Sequence, residues 1–179
     1  MFYVSEIKTG APEHFQTALQ EKAYQALQEL QIPFERVETD EAITMDDCVQ
    51  IDAKLRMKMV KTLFLCSRRQ TAYYLFITEG DKPFCSKNFS AALNVPRVSF
   101  APSEKLETML GTKIGAATVF SALLDPENRV QIVFDSDVAA EEWYGCSDGT
   151  TTGYMKVRTA GILHTFLPCT RHTPLIAEV

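Results

Sequence analysis

The sequence predicts an α/β protein, a compact single domain spanning residues 1–179 with a central mixed β-sheet flanked by helices. Strand-like and helical patterns alternate irregularly along the chain, which favours a mixed sheet over a strictly parallel one. Two strand-like runs, 59–66 and 72–77, flank the short polar segment Ser67–Gln70 and are typical of a β-hairpin. No linker rich in serine, glycine or proline divides the 179 residues.

The first element predicted is a helix over residues 12–30. Pro12 suits the first helical position and Glu13 suits the first turn, and apolar residues then recur at helical spacing. We expect the helix to end before Pro33, because the residue that precedes a proline avoids helical backbone angles. Residues 1–30 are therefore interpreted as an N-terminal helical segment of the same domain.

The later elements are predicted from the same kinds of signal. Capping residues indicate helix starts near residues 44, 86 and 103, whereas Gly111 and Pro168 are expected to end two helical patterns. The predicted strands are 34–38, 97–100, 130–134, 154–157 and 174–179, and the predicted helices are 44–51, 86–93, 105–110 and 159–167.

Composition narrows the class of protein. Hydrophobic residues make up 46% of the chain, an ordinary value that excludes general disorder. The apolar stretches are far shorter than the roughly 18 residues of a membrane helix, and the N-terminus shows no secretory signal. Five cysteines at wide spacing, without a C-x-x-C pair, predict reduced thiols in a cytoplasmic protein.

The net charge of −5 conceals a basic segment. From Lys54 to Arg69 there are six basic residues and no acidic one, so the remaining chain has 12 basic and 23 acidic residues, a balance of −11. A local basic patch on an acidic protein is able to contact a phosphate backbone, although such a run is also typical of a solvated surface.

Several reactive-site patterns are incomplete or absent. Cys169 and His172 have a C-x-x-H spacing but lack a second ligand pair, so no metal site is predicted. Cys146 is a candidate nucleophile, but its surroundings favour a turn on Asp148–Gly149 that lines a site without covalent chemistry. No glycine-rich nucleotide loop or serine nucleophile elbow occurs, and no cofactor is expected.

Two segments remain ambiguous on residues alone. Lys61 begins an otherwise apolar strand, where its side chain either extends to solvent or points into a cleft at the strand end. The small-residue segment Gly115–Val119 is either a packed turn after a helix or a loop whose backbone approaches a ligand.

Taken in order, these segments resemble the YbaK/prolyl-tRNA synthetase editing-domain family. The resemblance covers roughly residues 15–170, and no single piece is specific, but the ordered set is. The pieces are Lys61-Thr62-Leu63-Phe64-Leu65, Tyr73–Ile77, Gly80-Asp81-Lys82, Lys87–Leu93, Arg97–Ala101 with Glu104, Leu106 and Gly111, and Gly115–Phe120 followed by Leu123-Leu124-Asp125.

The resemblance implies a free-standing α/β protein that hydrolyses mischarged aminoacyl-tRNA in trans, with alanyl-tRNA(Pro) as the implied substrate. It implies that Lys61 is essential in the pocket for the acylated terminal adenosine and that the glycine loop lines the aminoacyl pocket. The implied substrate-binding residues are Thr62, Gly115, Ala116, Ala117, Thr118, Val119, Phe120, Cys146, Asp148, Gly149 and Thr150.

The partners implied are the acceptor end of aminoacyl-tRNA and prolyl-tRNA synthetase, with no DNA and no membrane. An aminoacyl ester is already activated, so a positioned water and charge stabilisation are sufficient for its hydrolysis. Lys61 is therefore expected to orient the tRNA end or stabilise charge without becoming a covalent nucleophile. The candidate tRNA-binding residues are Lys54, Arg56, Lys58, Arg68 and Arg69.

The sequence departs from the family pattern at three places. Val119 replaces a loop proline, Thr62 replaces an asparagine frequent in the subgroup, and no histidine occurs in Gly145–Thr150. An alternative therefore stays open, namely a catalytically inactive relative that binds tRNA or a synthetase.

Overall fold

Eight β-strands form two sheets in residues 1–42 and 44–179, the part of the chain that this computed structural model describes. The strands are β1 (Phe34–Glu38), β2 (Val60–Ser67), β3 (Tyr73–Glu79), β4 (Val98–Phe100), β5 (Val130–Asp135), β6 (Trp143–Ser147), β7 (Gly153–Arg158) and β8 (Leu175–Ala177).

The larger sheet has the strand order β4-β2-β3-β5-β8 and is mixed. Strand β2 pairs antiparallel with β3 and β4, whereas β5 lies parallel to both β3 and β8. The smaller sheet, β1-β7-β6, is entirely antiparallel. The predicted α/β class with a mixed central sheet is confirmed, and the small sheet beside it is an addition.

Helices pack on both faces of the larger sheet. The alternation of β2 sends Leu65 toward α3, where Phe76 and Phe89 meet with ring centroids 5.0 Å apart, and sends Phe64 and Cys66 into the main core on the other face. The helices are α1 (Ala18–Glu29), α2 (Val49–Leu55), α3 (Ser86–Leu93), α4 (Ser103–Leu110), α5 (Ser136–Ala139), α6 (Thr159–Gly161) and α7 (Leu167–Cys169), with a 3₁₀ helix at Val119–Leu124 and a π-helix at Ile162–Phe166.

The N-terminal segment is less helical than predicted. The first helix begins at Ala18, where the Thr17 side chain accepts the Gln20 N–H at 3.0 Å, and not at residue 12. Residues 4–8 lie along β1, with the Ser5 N–H donating to the Glu38 carbonyl at 2.8 Å. Just before the helix, the Gln16 N–H donates to the Gln20 side-chain oxygen at 2.7 Å, a local side-chain bond that competes with helical backbone pairing.

Two other helix boundaries also differ from the prediction. Thr44 and Asp47 do bond to each other, at 2.9 Å, but they form a turn and α2 begins only at Val49. The helical segment that starts at Thr159 continues through Pro168, because this proline lies in the first turn of α7, where its missing N–H is tolerated. No helix in residues 1–42 and 44–179 has the length and apolar character needed to span a membrane.

Candidate functional site

A cleft of about 410 Å³ opens beside β2 of the larger sheet, and its lining includes Ser147 and Tyr154 from the smaller sheet. On the edge of β2 that faces the cleft, residues Leu65–Ser67 pair with β4. The last hydrogen bond of this pairing runs from the Ala101 N–H to the Phe64 carbonyl, at 2.9 Å. At the start of β2, Met59 forms a bridge with Gly145 of β6. No described strand pairs with this edge between those points, and the alternation of a strand directs the Thr62 backbone groups toward the opening.

The cleft is mostly apolar. Met59, Leu106, Ile114 and Tyr154 contribute apolar surface from four different parts of the fold. Among the described residues that line the cleft, Lys61 is the one side chain that is charged at neutral pH. A single cation in apolar surroundings is suited to a ligand that carries or develops negative charge, since electrostatic interactions strengthen where water is excluded.

Lys61 is partly buried and held by the backbone of a neighbouring turn. Its Nζ donates to the Lys82 carbonyl. Burial lowers the pKa of the Lys61 ammonium, and the Asp81 carboxylate acts in the opposite direction. The side chain therefore does not extend freely into solvent, and its ammonium is partly desolvated at the cleft.

The segment between α4 and the 3₁₀ helix forms another wall. Gly115 and Ala117 line the cleft, and Gly115 has φ +88°, a backbone conformation that favours glycine. The Thr118 Oγ1 donates to the Ser147 carbonyl at 2.7 Å, and the Ser147 Oγ donates to the Thr150 carbonyl at 2.6 Å. These buried bonds fix the loop against the turn that follows β6.

The remaining members of the predicted substrate-binding set do not line this cleft. Ala116, Gly149 and Thr150 line a second depression of about 450 Å³. Thr118, Val119 and Phe120 are buried in the core beneath the loop. The cleft lining thus brings together Lys61, Thr62, Gly115 and Ala117 and does not include the others.

Asp148 is occupied by contacts within the fold. Its carboxylate is 1% exposed and accepts hydrogen bonds from Gln20 Nε2 at 2.9 Å, from the Tyr24 hydroxyl at 2.8 Å and from Thr150 Oγ1 at 2.7 Å. Burial first, and the Asp148 charge second, raise the pKa of Tyr24, which keeps the phenol protonated as a donor. A substrate has no access to this carboxylate, and Asp148 ties the turn to α1.

Cys146 lies in a strand and not in the predicted turn. It is part of β6, is 1% exposed and does not line the cleft. Burial raises the pKa of its thiol, with a further contribution from Asp148, so the nucleophilic thiolate is disfavoured. The turn itself begins at Asp148–Gly149, where Gly149 has φ +98°.

The basic segment does not form one continuous patch. Lys54 lies 3.3 Å from the Glu6 carboxylate, and Lys58 lies 3.5 Å from Glu141. Arg56 is exposed at the end of α2. Arg68 and Arg69 lie exposed in the β2–β3 turn, seven or more residues along β2 from Lys61 and therefore roughly 23 Å away.

The structure also places residues in the cleft that sequence reasoning did not select. Phe100 and Ile114 stand at the cleft with 61% and 70% of their surfaces exposed. Ser147, Met59 and Tyr154 line its interior. The exposed apolar pair leaves no periodic signal in the sequence, because its position depends on the end of β4 and the path of the loop after α4.

No cluster of three or more His, Cys, Asp or Glu side chains suited to a metal ion occurs in residues 1–42 and 44–179. His172 of the C-x-x-H pair is buried, and its Nε2 lies 2.9 Å from Asp125 Oδ2 while its Nδ1 lies 2.9 Å from the Thr170 carbonyl. Cys169 is exposed. His172 alone therefore joins the C-terminal segment to Asp125 in the turn before β5.

Known proteins resemble this chain in sequence and in fold. The chain is 29% identical over 112 residues to the prolyl-tRNA editing protein ProX of Acetoanaerobium sticklandii, a match that covers 63% of this chain and 68% of ProX. A crystal structure of the hypothetical protein APE2540 superposes with a TM-score of 0.68 and 13% identity, covering 87% of this chain and 98% of that one.

A second crystal structure, of a candidate trans-editing enzyme for prolyl-tRNA synthetase, superposes with a TM-score of 0.66 and 15% identity over 92% of this chain and 99% of that one. Both superpositions show a shared fold. The model of a family described as the aminoacyl-tRNA editing domain matches residues 39–164, which is more than half of the chain. The family expected from the ordered motifs is confirmed, and the protein belongs to the aminoacyl-tRNA editing domain family.

Proposed function

We propose that this protein hydrolyses the ester bond of mischarged aminoacyl-tRNA in trans and that alanyl-tRNA(Pro) is its preferred substrate. The observation that carries the proposal is the Lys61 ammonium, the one charged side chain among the described residues lining the cleft of an editing-domain protein. The proposed partner is the acceptor end of the tRNA in the cytoplasm, with prolyl-tRNA synthetase as a second partner.

Ester hydrolysis requires the protein only to position the reactants and to stabilise the negative charge that develops. When water attacks an aminoacyl ester, negative charge develops on the carbonyl oxygen, and a preorganised donor stabilises it. The Lys61 ammonium is one such donor, and the backbone N–H of Thr62, directed toward the open edge of β2, is a second. The substrate's own ribose hydroxyl is proposed to help position the water.

The residues that line the cleft favour a substrate with a small apolar acyl group. None of the described lining residues carries a carboxylate that would pair with a basic acyl side chain. Met59, Leu106 and Tyr154 form part of the wall of the cleft that Lys61 also lines. Tyr154 is fixed because its hydroxyl donates to the Ala42 carbonyl at 2.8 Å. A pocket with fixed walls rejects larger acyl groups by exclusion, which is the principle of an editing sieve.

We propose that Phe100 and Ile114 hold the terminal adenine between them at the mouth of the cleft. Base–aromatic stacking contributes about 1–3 kcal/mol, and burying a methylene group contributes about 0.8 kcal/mol. Phe100→Leu loses the stacking and Ile114→Ala loses apolar contact, so each is expected to raise KM for alanyl-tRNA by about tenfold and to change kcat little. Steady-state kinetics check this. Ile176→Ala, at another exposed isoleucine, which lies on β8, is the matched control for Ile114→Ala. An unchanged KM in the two cleft variants would contradict the assignment.

Phosphate contacts are proposed for the cations of the basic segment that are nearest to Lys61 along the chain. Arg56 and Lys58 precede Lys61 by five and three residues, whereas Arg68 and Arg69 lie at the far end of β2. Lys54, which pairs with the Glu6 carboxylate, is proposed to contact a further phosphate. Contacts to phosphates strengthen binding without reading sequence, and they weaken as salt rises.

A deacylation panel tests the proposed function. The purified protein is incubated with proline tRNA that carries labelled alanine, and with the cysteinyl, seryl and prolyl esters, and loss of each ester is followed. We expect rapid hydrolysis of the alanyl ester and much slower hydrolysis of the prolyl ester. Hydrolysis of none of the four would refute the enzyme assignment. Salt-sensitive tRNA binding without ester loss would instead support the inactive binding relative.

A further inference from the structure

The Lys61 ammonium is the end of a connected set of polar contacts behind the cleft. Its Nζ donates to the carbonyl of Lys82, and the ammonium of Lys82 lies 2.8 Å from Asp135 Oδ2 and 3.2 Å from Asp137 Oδ2. Thr78 Oγ1 donates to the same Asp135 oxygen at 2.8 Å. The Lys82 residue therefore contacts Lys61 through its backbone and Asp135 through its side chain.

Strand register places three of these residues in one row across the larger sheet. Lys61 of β2 is paired with Thr78 of β3. Parallel pairing of β3 with β5 reaches Ile77 and Phe134, so the next residues, Thr78 and Asp135, are neighbours on the same face. Side chains opposite each other on neighbouring strands have Cβ atoms about 5 Å apart. Lys82, in the turn after β3, contacts both ends of this row. Its carbonyl accepts a hydrogen bond from Lys61, and its ammonium pairs with Asp135.

Burial of the Asp135 carboxylate favours a persistent contact with Lys82. Asp135 is 0% exposed, and a buried carboxylate is costly unless it is paired and hydrogen-bonded. A charge-assisted bond of 2.8 Å to Lys82 and the Thr78 hydroxyl meet that requirement. The 80–82 turn is thereby tied to β5, and its Lys82 carbonyl has a fixed position. A lysine on a flexible four-carbon stem gains a defined location when its ammonium donates to a fixed acceptor.

We propose that Lys82 and Asp135 are positioning residues for Lys61, holding the turn whose carbonyl sets the location of the Lys61 ammonium in the cleft. The inference deepens the proposed function and rests on it for its kinetic readout. Neither side chain is in the cleft lining. Their effect on the reaction therefore passes through Lys61.

Kinetics of three variants provide the first test. Lys82→Met is expected to lower kcat for alanyl-tRNA by about 10- to 50-fold with KM within about twofold, because a small displacement of a reacting group is costly in rate. Lys82→Arg retains the cation and should restore kcat to within about threefold of the unmodified protein. Lys8→Met removes a lysine paired with Glu38 at 3.0 Å elsewhere and should leave kcat unchanged. An undiminished kcat in folded Lys82→Met, or no recovery in Lys82→Arg, would overturn the proposal.

A second readout does not involve tRNA. The pH dependence of Lys61 acetylation by acetic anhydride, followed by peptide mass spectrometry, reports how far its amine is desolvated. Loosening the turn exposes Lys61 and relieves the burial that lowers its pKa. The pH midpoint of Lys61 acetylation should therefore rise in Lys82→Met and in Asp135→Asn, and stay constant in Lys8→Met. Because Asp135→Asn removes a negative charge, a purely electrostatic role predicts that its midpoint falls, and that result would overturn the proposal. If the deacylation panel fails, this labelling test still decides whether Lys82 positions Lys61.

Discussion

Replacing Lys61 with alanine is expected to lower kcat for ester hydrolysis by about 100- to 1,000-fold, the usual loss when one preorganised charge-stabilising donor is removed. Lys61 is the one charged side chain among the described residues of the cleft. The free energy of unfolding should change by less than about 1.5 kcal/mol, because the partly exposed ammonium makes one hydrogen bond, to the Lys82 carbonyl. Single-turnover hydrolysis of labelled alanyl-tRNA and urea unfolding measure the two quantities.

Lys87→Ala is the control for this prediction. Lys87 is an exposed lysine on α3, so the variant loses the same charge at a position outside the cleft lining. It should keep kcat within about twofold, as expected for a change at a surface position. Activity of the Lys61→Ala protein at the level of the unmodified protein would remove Lys61 from the site. An equal loss in both variants would show that general charge, and not position, governs the rate.

Asp148→Ala is expected to reduce the free energy of unfolding by about 3–5 kcal/mol, since it leaves the buried Gln20 amide and Tyr24 hydroxyl without their acceptor, at roughly 1–3 kcal/mol each. Thr150 loses a partner as well. For a chain of this length the midpoint of thermal unfolding should fall by about 10 °C. Calorimetry and urea titration are the measurements.

A control at an exposed acid separates this effect from loss of charge. Glu13 is exposed in the segment before α1, and Glu13→Ala should leave the midpoint within about 1 °C, since surface changes are usually small. Gly153→Ala provides an independent check, because a Cβ there would collide with the Asp148 carboxylate. Should Asp148→Ala melt at the normal temperature yet lose activity, the sequence-based assignment of Asp148 to substrate binding would be restored.

The parts of the fold that could be predicted are those determined by nearby residues. The β2–β3 hairpin follows from two apolar runs around a polar turn, and helix α3 matches its predicted bounds of Ser86–Leu93. Strand β6 was missed because Gly145, Cys146 and Ser147 are small residues typical of loops. They form a strand through pairing with β7, a contact that local sequence does not show, and the Met57 side chain packs where a Cβ of residue 145 would lie.

The candidate site was predictable in its polar part and not in its apolar part. Lys61 is conspicuous as a charge in an apolar strand, and the glycine loop is conspicuous by its small residues. Lys61 and two residues of the loop, Gly115 and Ala117, line the cleft. Phe100 and Ile114 differ from ordinary core residues only in their exposure, which tertiary packing decides. Asp148 resembled a ligand-binding acid because a buried structural carboxylate and a functional one have the same sequence signature.

The open stretch of β2 also bears on self-association. An unpaired strand edge is a template on which a second copy of the chain can add a strand. Here the opening is confined between Met59 and Phe64 by the Gly145 bridge and by Ala101, whereas a typical strand has 5–6 residues. The nearby Lys61 ammonium adds a charge that disfavours a second edge, as lysines on edge strands commonly do. A strand edge with free backbone donors can thus stay resistant to aggregation when it is short and carries a charge.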